Sequence, residues 1–276
     1  MNPHARHSAS PNAMFASLIA NRRLVAQLTR REVVSRYRGS IAGLAWSFFN
    51  PLLMLGIYTF VFSTVFKARW GVEAEESRAG FAVILFVGVM LHGLLAECIT
   101  KAPGLILNNV SYVKKVVFPL EILPWVAVGS ALFHAAISLG VLLLAQLVLG
   151  HAIPWTALLF PLVLLPLVLV AAGFSWLLAA TSVYIRDIGM ITGLFATILL
   201  FLAPVFYPLS ALPDEYHWLM LLNPLTFIIE QSRLVLLSGN VPDWQGLGVF
   251  FVVALSFAWI GFWWFQRTRN GFADVL

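Results

Sequence analysis

Apolar residues run along this chain in long uncharged blocks, separated by short polar breaks. The block at 41–66 (IAGLAWSFFNPLLMLGIYTFVFSTVF) holds 26 residues without a charge, and about 20 are enough to carry a helix across a bilayer. Read this way, the chain predicts six spans, at about 44–66, 81–99, 120–149, 156–184, 189–207 and 247–265. The segment 208–246 is too apolar for an ordinary loop and too interrupted to span. It breaks into two short apolar pieces around Asn223-Pro224. Interrupted backbone at membrane depth survives only when buried in protein or lining a wet cavity, so two short re-entrant outer helices are expected there. The fold class is therefore all-α integral membrane.

The N-terminal part follows a different pattern. Residues 1–17 are small and polar and read as a disordered tail, and residues 18–276 read as one membrane domain. A secretory signal is not expected, because the apolar stretch 15–20 is short and Arg22 and Arg23 follow at once. Leu18, Leu24, Val25 and Leu28 fall on one helical face, with Arg23 and Arg30 opposite. A basic helix over about 24–38 can lie in the membrane interface or act only as a positive-inside anchor. Periodicity leaves both open.

Charge sets the orientation. Arg30, Arg31, Arg36 and Arg38 end where the first apolar block begins, which puts that flank on the cytoplasmic side. Of 17 Lys and Arg, the six-span topology leaves only Lys67, Arg69, Arg78 and Arg233 outside. The net charge of +5 is then an orientation signal and not a nucleic-acid footprint. Both termini are expected in the cytoplasm. Composition agrees, with 61% hydrophobic and 11% charged residues against about 25% charged in a soluble domain.

Local features sharpen the expectation. Pro51 predicts an early kink in the first span, and Pro161 and Pro166 an irregular outer half of the fourth. Gly189 and Gly193 have the small-xxx-small spacing of close helix packing. His134 and Gln146 suit neutral hydrogen bonds between helices. A carboxylate at a span centre costs about 2.5–3.5 kcal/mol, but Glu97 lies near an inner end, where headgroup contact lowers that cost. The inward break 100–119 carries Lys101, Lys114 and Lys115, and Pro103 could open a short helix in it. Arg186 and Asp187 form a minimal inward turn and can pair, as can Glu230 and Arg233 within one outer turn.

Little chemistry is present. No G-x-x-x-x-G-K-[ST] loop, H-E-x-x-H or G-x-S-x-G occurs, and Cys98 is the single cysteine. The six His are dispersed, so no metal site is expected. Deep charges of the kind an ion relay needs are nearly missing. Aromatic residues are abundant, with 22 Phe, 10 Trp and 6 Tyr. A minority lining a pore would offer flat apolar faces to sugar rings.

Five segments in register carry a family resemblance. They are RREVVSRYRGSIAGLAWSFFNPLLMLGIYTFVFSTVF at 30–66, NNVSYVKKVVFPLEILP at 108–124, VYIRDI at 183–188, APVFYP at 203–208 and LNPLTFIIEQSR at 222–233. Together they resemble the permease subunit of type-2 ABC polysaccharide exporters, the O-antigen and teichoic-acid group, across nearly the whole chain. The resemblance implies a homodimer of six-span subunits in the bacterial inner membrane, docked to two copies of a separate cytoplasmic ATPase. ATP and Mg would be held there, with no cofactor on this chain. The implied cargo is a lipid-linked polysaccharide, first of all O-antigen on an undecaprenyl carrier. Teichoic acid or capsule, and a drug- or lipid-exporting permease of the same class, are the alternatives.

Site roles carried over by the resemblance are segmental. Arg30, Arg31, Arg36, Tyr37 and Arg38 would form the interface helix that gates the lipid headgroup. Lys101, Leu105, Asn108, Asn109, Arg186 and Asp187 would receive the ATPase. Tyr207, Asn223, Pro224, Glu230 and Arg233 would belong to an outer gate spanning 211–237.

Overall fold

The computed structural model describes residues 8–61, 78–114, 118–209 and 213–276. Among them every regular element is helical. In chain order these are α1 (Pro11–Ala20), α2 (Arg22–Tyr37), α3 (Trp46–Tyr58), α4 (Arg78–Lys101), α5 (Gly104–Leu107), α6 (Val110–Lys114) and α7 (Leu123–Val148). They continue with α8 (Phe160–Tyr184), α9 (Ile188–Phe201), α10 (His217–Leu221), α11 (Pro224–Arg233), α12 (Trp244–Thr268) and α13 (Phe272–Val275).

Among the described residues, five helical stretches are long and apolar enough to cross a membrane: Gly43–Val61, Gly80–Lys101, Leu120–Val148, Trp155–Tyr184 and Trp244–Val275. The expected fifth span is shorter than its composition suggested. α9 has 14 residues, about 21 Å at 1.5 Å per residue, against a hydrocarbon core of about 30 Å. Residues 202–208 follow as non-helical chain, although they are as apolar as a helix end. Pro204 and Pro208 each lack a backbone donor and disfavour helix at the residue before them. The stretch packs instead on α4, where a Cβ on Gly88 would lie 3.2 Å from Val205.

Two other expectations are corrected. The N-terminal tail is ordered into helix from Pro11 onward, because Ser10 accepts the Ala13 N–H as a cap and Pro11 stands in the first turn, where its missing donor is free of cost. Met14 is fully buried, so α1 is anchored by packing as well. The outer half of the fourth span is regular helix from Phe160, with Pro161 in its first turn and Pro166 enclosed. Irregularity is confined to the 3-10 turn Trp155–Leu159 ahead of it. The loop expected at 67–80 falls almost wholly outside the described residues, as do Lys115 and Ala211.

α8 is the core of the bundle. Ala171, Ala172, Trp176, Ala179 and Ala180 on it are fully buried, and Trp176 meets Trp125 of α7 and Phe262 of α12 edge to face. Against α12 the contact is backbone on backbone, since a Cβ on Gly261 would collide with the Gly173 carbonyl. Without a hydrophobic drive between helices in lipid, such close van der Waals approach is a main source of association. Gly189 and Gly193 do not supply it, because a Cβ at Gly193 meets open space and one at Gly189 only an ordinary contact. Gln146 behaves as expected, donating to the Leu236 carbonyl at 3.0 Å.

Candidate functional site

The last turn of α2 lies against α4 and α7, and there the charges converge. Glu97, near the end of α4, accepts from Arg36 Nη1 at 2.9 Å, Lys101 Nζ at 2.8 Å and His134 Nδ1 at 2.8 Å. Lys101 also reaches Glu32 of α2 at 2.6 Å and donates to Ser130 of α7 at 3.2 Å. A carboxylate only accepts, so His134 donates from Nδ1, and its Nε2 shares a 3.1 Å hydrogen bond with the Tyr37 hydroxyl. Burial pushes the Tyr37 phenol above its ordinary pKa, which keeps it a donor. Glu32 and Glu97 face Arg36 and Lys101, so carboxylates and fixed cations are matched in number. That match lowers the cost of shielding Glu97, the least exposed of the four.

Below the cluster lies an open cavity of about 270 Å³. Arg36, Tyr37, Glu97 and His134 form its polar end, and Met54, Phe86 and Met90 its apolar wall. Arg36 spends one of its two terminal nitrogens on Glu97 and keeps half of its side chain exposed. Arg30, Arg31 and Arg38 are exposed along the same helix, and Arg31 donates to the Tyr112 hydroxyl of α6 at 3.3 Å. Arg36 thus brings a half-exposed guanidinium to the cavity's apolar lining, while Arg30, Arg31 and Arg38 lie outside that lining.

The described part of the break between α4 and α7 folds as two short helices. Pro103 leads into α5, Asn109 donates to the Leu105 carbonyl at 3.0 Å, and Asn108 is exposed. Leu105, Asn109 and Tyr112 face Leu28, Arg31 and Glu32 of α2 across a smaller cavity of about 160 Å³. Lys101 is not on that surface but turned into the ion cluster. Arg186 and Asp187 are both exposed, and no ion pair joins them.

In the interrupted segment after α9, Asn223 caps α11 by accepting the Leu225 N–H at 3.0 Å and donates to the Leu199 carbonyl of α9 at 2.8 Å. Pro224 fills the first turn. Arg233 pairs with Glu230 at 3.1 Å and donates to the carbonyls of Ile84 and Val205, tying α11 to α4 and to the 202–208 stretch. The Tyr207 hydroxyl donates to the Phe201 carbonyl. Lys101 stands four residues after Glu97, a spacing that could have signalled their pair, but the resemblance assigns it to the ATPase surface. The contact of Glu97 with His134, and the parts taken by Glu32 and Ser130, join helices the sequence keeps far apart.

Residues 23–237 match the sequence model of the family described as ABC-2 type transporter. This chain belongs to that family. An ABC-2 permease is the membrane subunit of a transporter whose ATP is hydrolysed by a partner ATPase, and the chain is accordingly a multi-pass membrane protein and not an enzyme. It is similar to the O-antigen export system permease protein RfbA of Myxococcus xanthus, 28% identical over 265 residues, covering 95% of this chain and 99% of that one. An O-antigen export system permease protein RfbA of Klebsiella pneumoniae is 23% identical over 255 residues, covering 92% and 95% respectively. The ABC-2 match takes in the ion cluster, the inward helices and the outer segment, and it leaves α1 and α12 outside.

Proposed function

We propose that this chain is the permease of an ATP-driven exporter that moves a lipid-linked polysaccharide, O-antigen on an undecaprenyl carrier, from cytoplasm to periplasm. Similarity to O-antigen export permeases over 95% of the chain carries the reading, and the amphipathic cavity beneath Arg36 supports it. Two copies form the conduit in the inner membrane, each with six spans and cytoplasmic termini, α9 and the chain after it serving as the fifth span. Two ATPase copies hold ATP and Mg, and this chain binds neither.

In this reading α2 lies at the inner membrane surface. Arg30, Arg31, Arg36, Tyr37 and Arg38 meet the carrier's phosphates, which guanidinium groups bind through paired hydrogen bonds. The segment from Lys101 through Leu105, Asn108 and Asn109, together with Arg186 and Asp187, receives the ATPase. Tyr207, Asn223, Pro224, Glu230 and Arg233 brace the outer gate.

Depleting the protein and assaying which membrane face holds the lipid-linked glycan tests the proposal. Long polymer should accumulate on the cytoplasmic face with none at the surface. Normal surface glycan without accumulation would move a small-molecule or lipid cargo to first place.

A further inference from the structure

The chain between α4 and α7 is anchored at both ends. At its entrance Lys101 is held by Glu32 and Glu97, and Ser182 of α8 donates to the Pro103 carbonyl at 3.0 Å. At its exit Glu121, in the 3-10 turn Leu120–Ile122, gathers segments far apart in sequence. Ser17 of α1 donates to Glu121 Oε1 at 3.1 Å. Arg269, just beyond α12, pairs with Oε2 and donates from its other terminal nitrogen to the Phe118 carbonyl at 3.1 Å. Trp176 of α8 donates to the Glu121 carbonyl at 3.0 Å.

The side chains of Glu121 and Arg269 are each only 13% exposed, so the pair is shielded from water and from salt. Phe118 stacks on Tyr112 of α6 with ring centroids 4.4 Å apart, carrying the grip into the inward helices. α1 is fixed from its far side too, since Trp259 of α12 donates to the Ala9 carbonyl at 2.9 Å. Ser17 and Arg269 both lie outside the residues of the family match, yet they meet on one carboxylate.

We propose that Glu121 is a positioning residue for transport, which with Ser17 and Arg269 fixes the exit of the inward segment. Through Tyr112 stacked on Phe118, and through the Arg269, Trp176 and Ser182 bonds, a push on α5 and α6 is delivered to α8 and to Arg269 beyond α12. Freed at one end, the segment pivots, and the push is lost in the loop. The inference rests on the reading that this segment receives the ATPase.

The test uses the full-length permease with its ATPase, in membranes. Glu121→Gln, Arg269→Met and the milder Ser17→Ala are compared with the charge swap Glu121→Arg/Arg269→Glu. ATPase co-purification and hydrolysis should stay within about twofold of wild type while surface glycan falls roughly fivefold in the first two variants, the loss of one shielded charge-assisted bond. Ser17→Ala should lose about half that on a logarithmic scale, and the swap should recover part of it, since a carboxylate at 269 restores the ion pair but cannot donate to the Phe118 carbonyl. Export at the wild-type level in the single variants would overturn the proposal. So would a loss of export that merely tracks loss of folded complex, or a swap that recovers nothing. A wild-type permease that brings down no ATPase would sink the docking reading itself, and the clamp's role with it.

Discussion

Tyr37, the last residue of α2, and His134, about three turns into α7, are joined by a 3.1 Å hydrogen bond, and the other ring nitrogen of His134 meets Glu97. A basic helix outside the apolar blocks is thereby tied to two long helices through a directed chain of donors and acceptors. Tyr37→Phe should cost about 1 kcal/mol, the usual net value of one such bond. His134→Ala should then cost less in the Phe variant than in wild type, as thermal unfolding in detergent would show.

Glu97→Gln keeps the shape and removes the charge that Arg36, Lys101 and His134 share. Breaking a fully buried pair costs about 3–5 kcal/mol, but Arg36 is half exposed, so a loss of about 1–3 kcal/mol is expected. Lys101 keeps Glu32. In a double-mutant cycle Glu97→Gln and Arg36→Gln should be non-additive by more than about 0.5 kcal/mol. Additive values would mean the pair contributes nothing.

Arg38 separates binding from bracing. It is exposed at the end of α2, outside the cluster. Arg38→Gln should lower export and leave thermal stability within about 0.5 kcal/mol, whereas Arg36→Gln should lower both. Unchanged export in both variants, with insertion intact, would remove the headgroup role from this helix.

Gly261→Ala places a methyl group on the Gly173 backbone, where no rotamer can yield. Overpacking costs about 1–3 kcal/mol even where side chains can move, so folded protein should fall sharply. Gly140→Ala meets nothing within 4 Å and should be neutral or slightly stabilising. Comparing the yields of monodisperse protein checks both.

The long helices were legible because uncharged runs of 18 residues or more have few alternatives, and the two short helices at 217–233 were legible from Asn223-Pro224 between apolar pieces. α9 was overestimated because Leu202, Ala203, Val205 and Phe206 are as apolar as a helix end, and only Pro204 and Pro208 argue otherwise. α1 carried its own signal, Ser10 before Pro11, but a ten-residue helix needs tertiary packing to persist, and the burial of Met14 could not be read locally. Glu97 was noticed as a costly carboxylate. Its partners were not, since Arg36 lies 61 positions away and His134 37. Pairings across that distance leave no period in the sequence.

The seam between α8 and α12 has a mechanical meaning. Two backbones in contact at Gly173 and Gly261 cannot slide without opening a void, and packed interiors resist that strongly. This seam is locked by shape. Where α2 meets α4 and α7, by contrast, two cations and a histidine donor share one carboxylate, and Lys101 keeps a second partner in Glu32. Salt and charge-changing substitutions therefore act on that joint and leave the seam untouched.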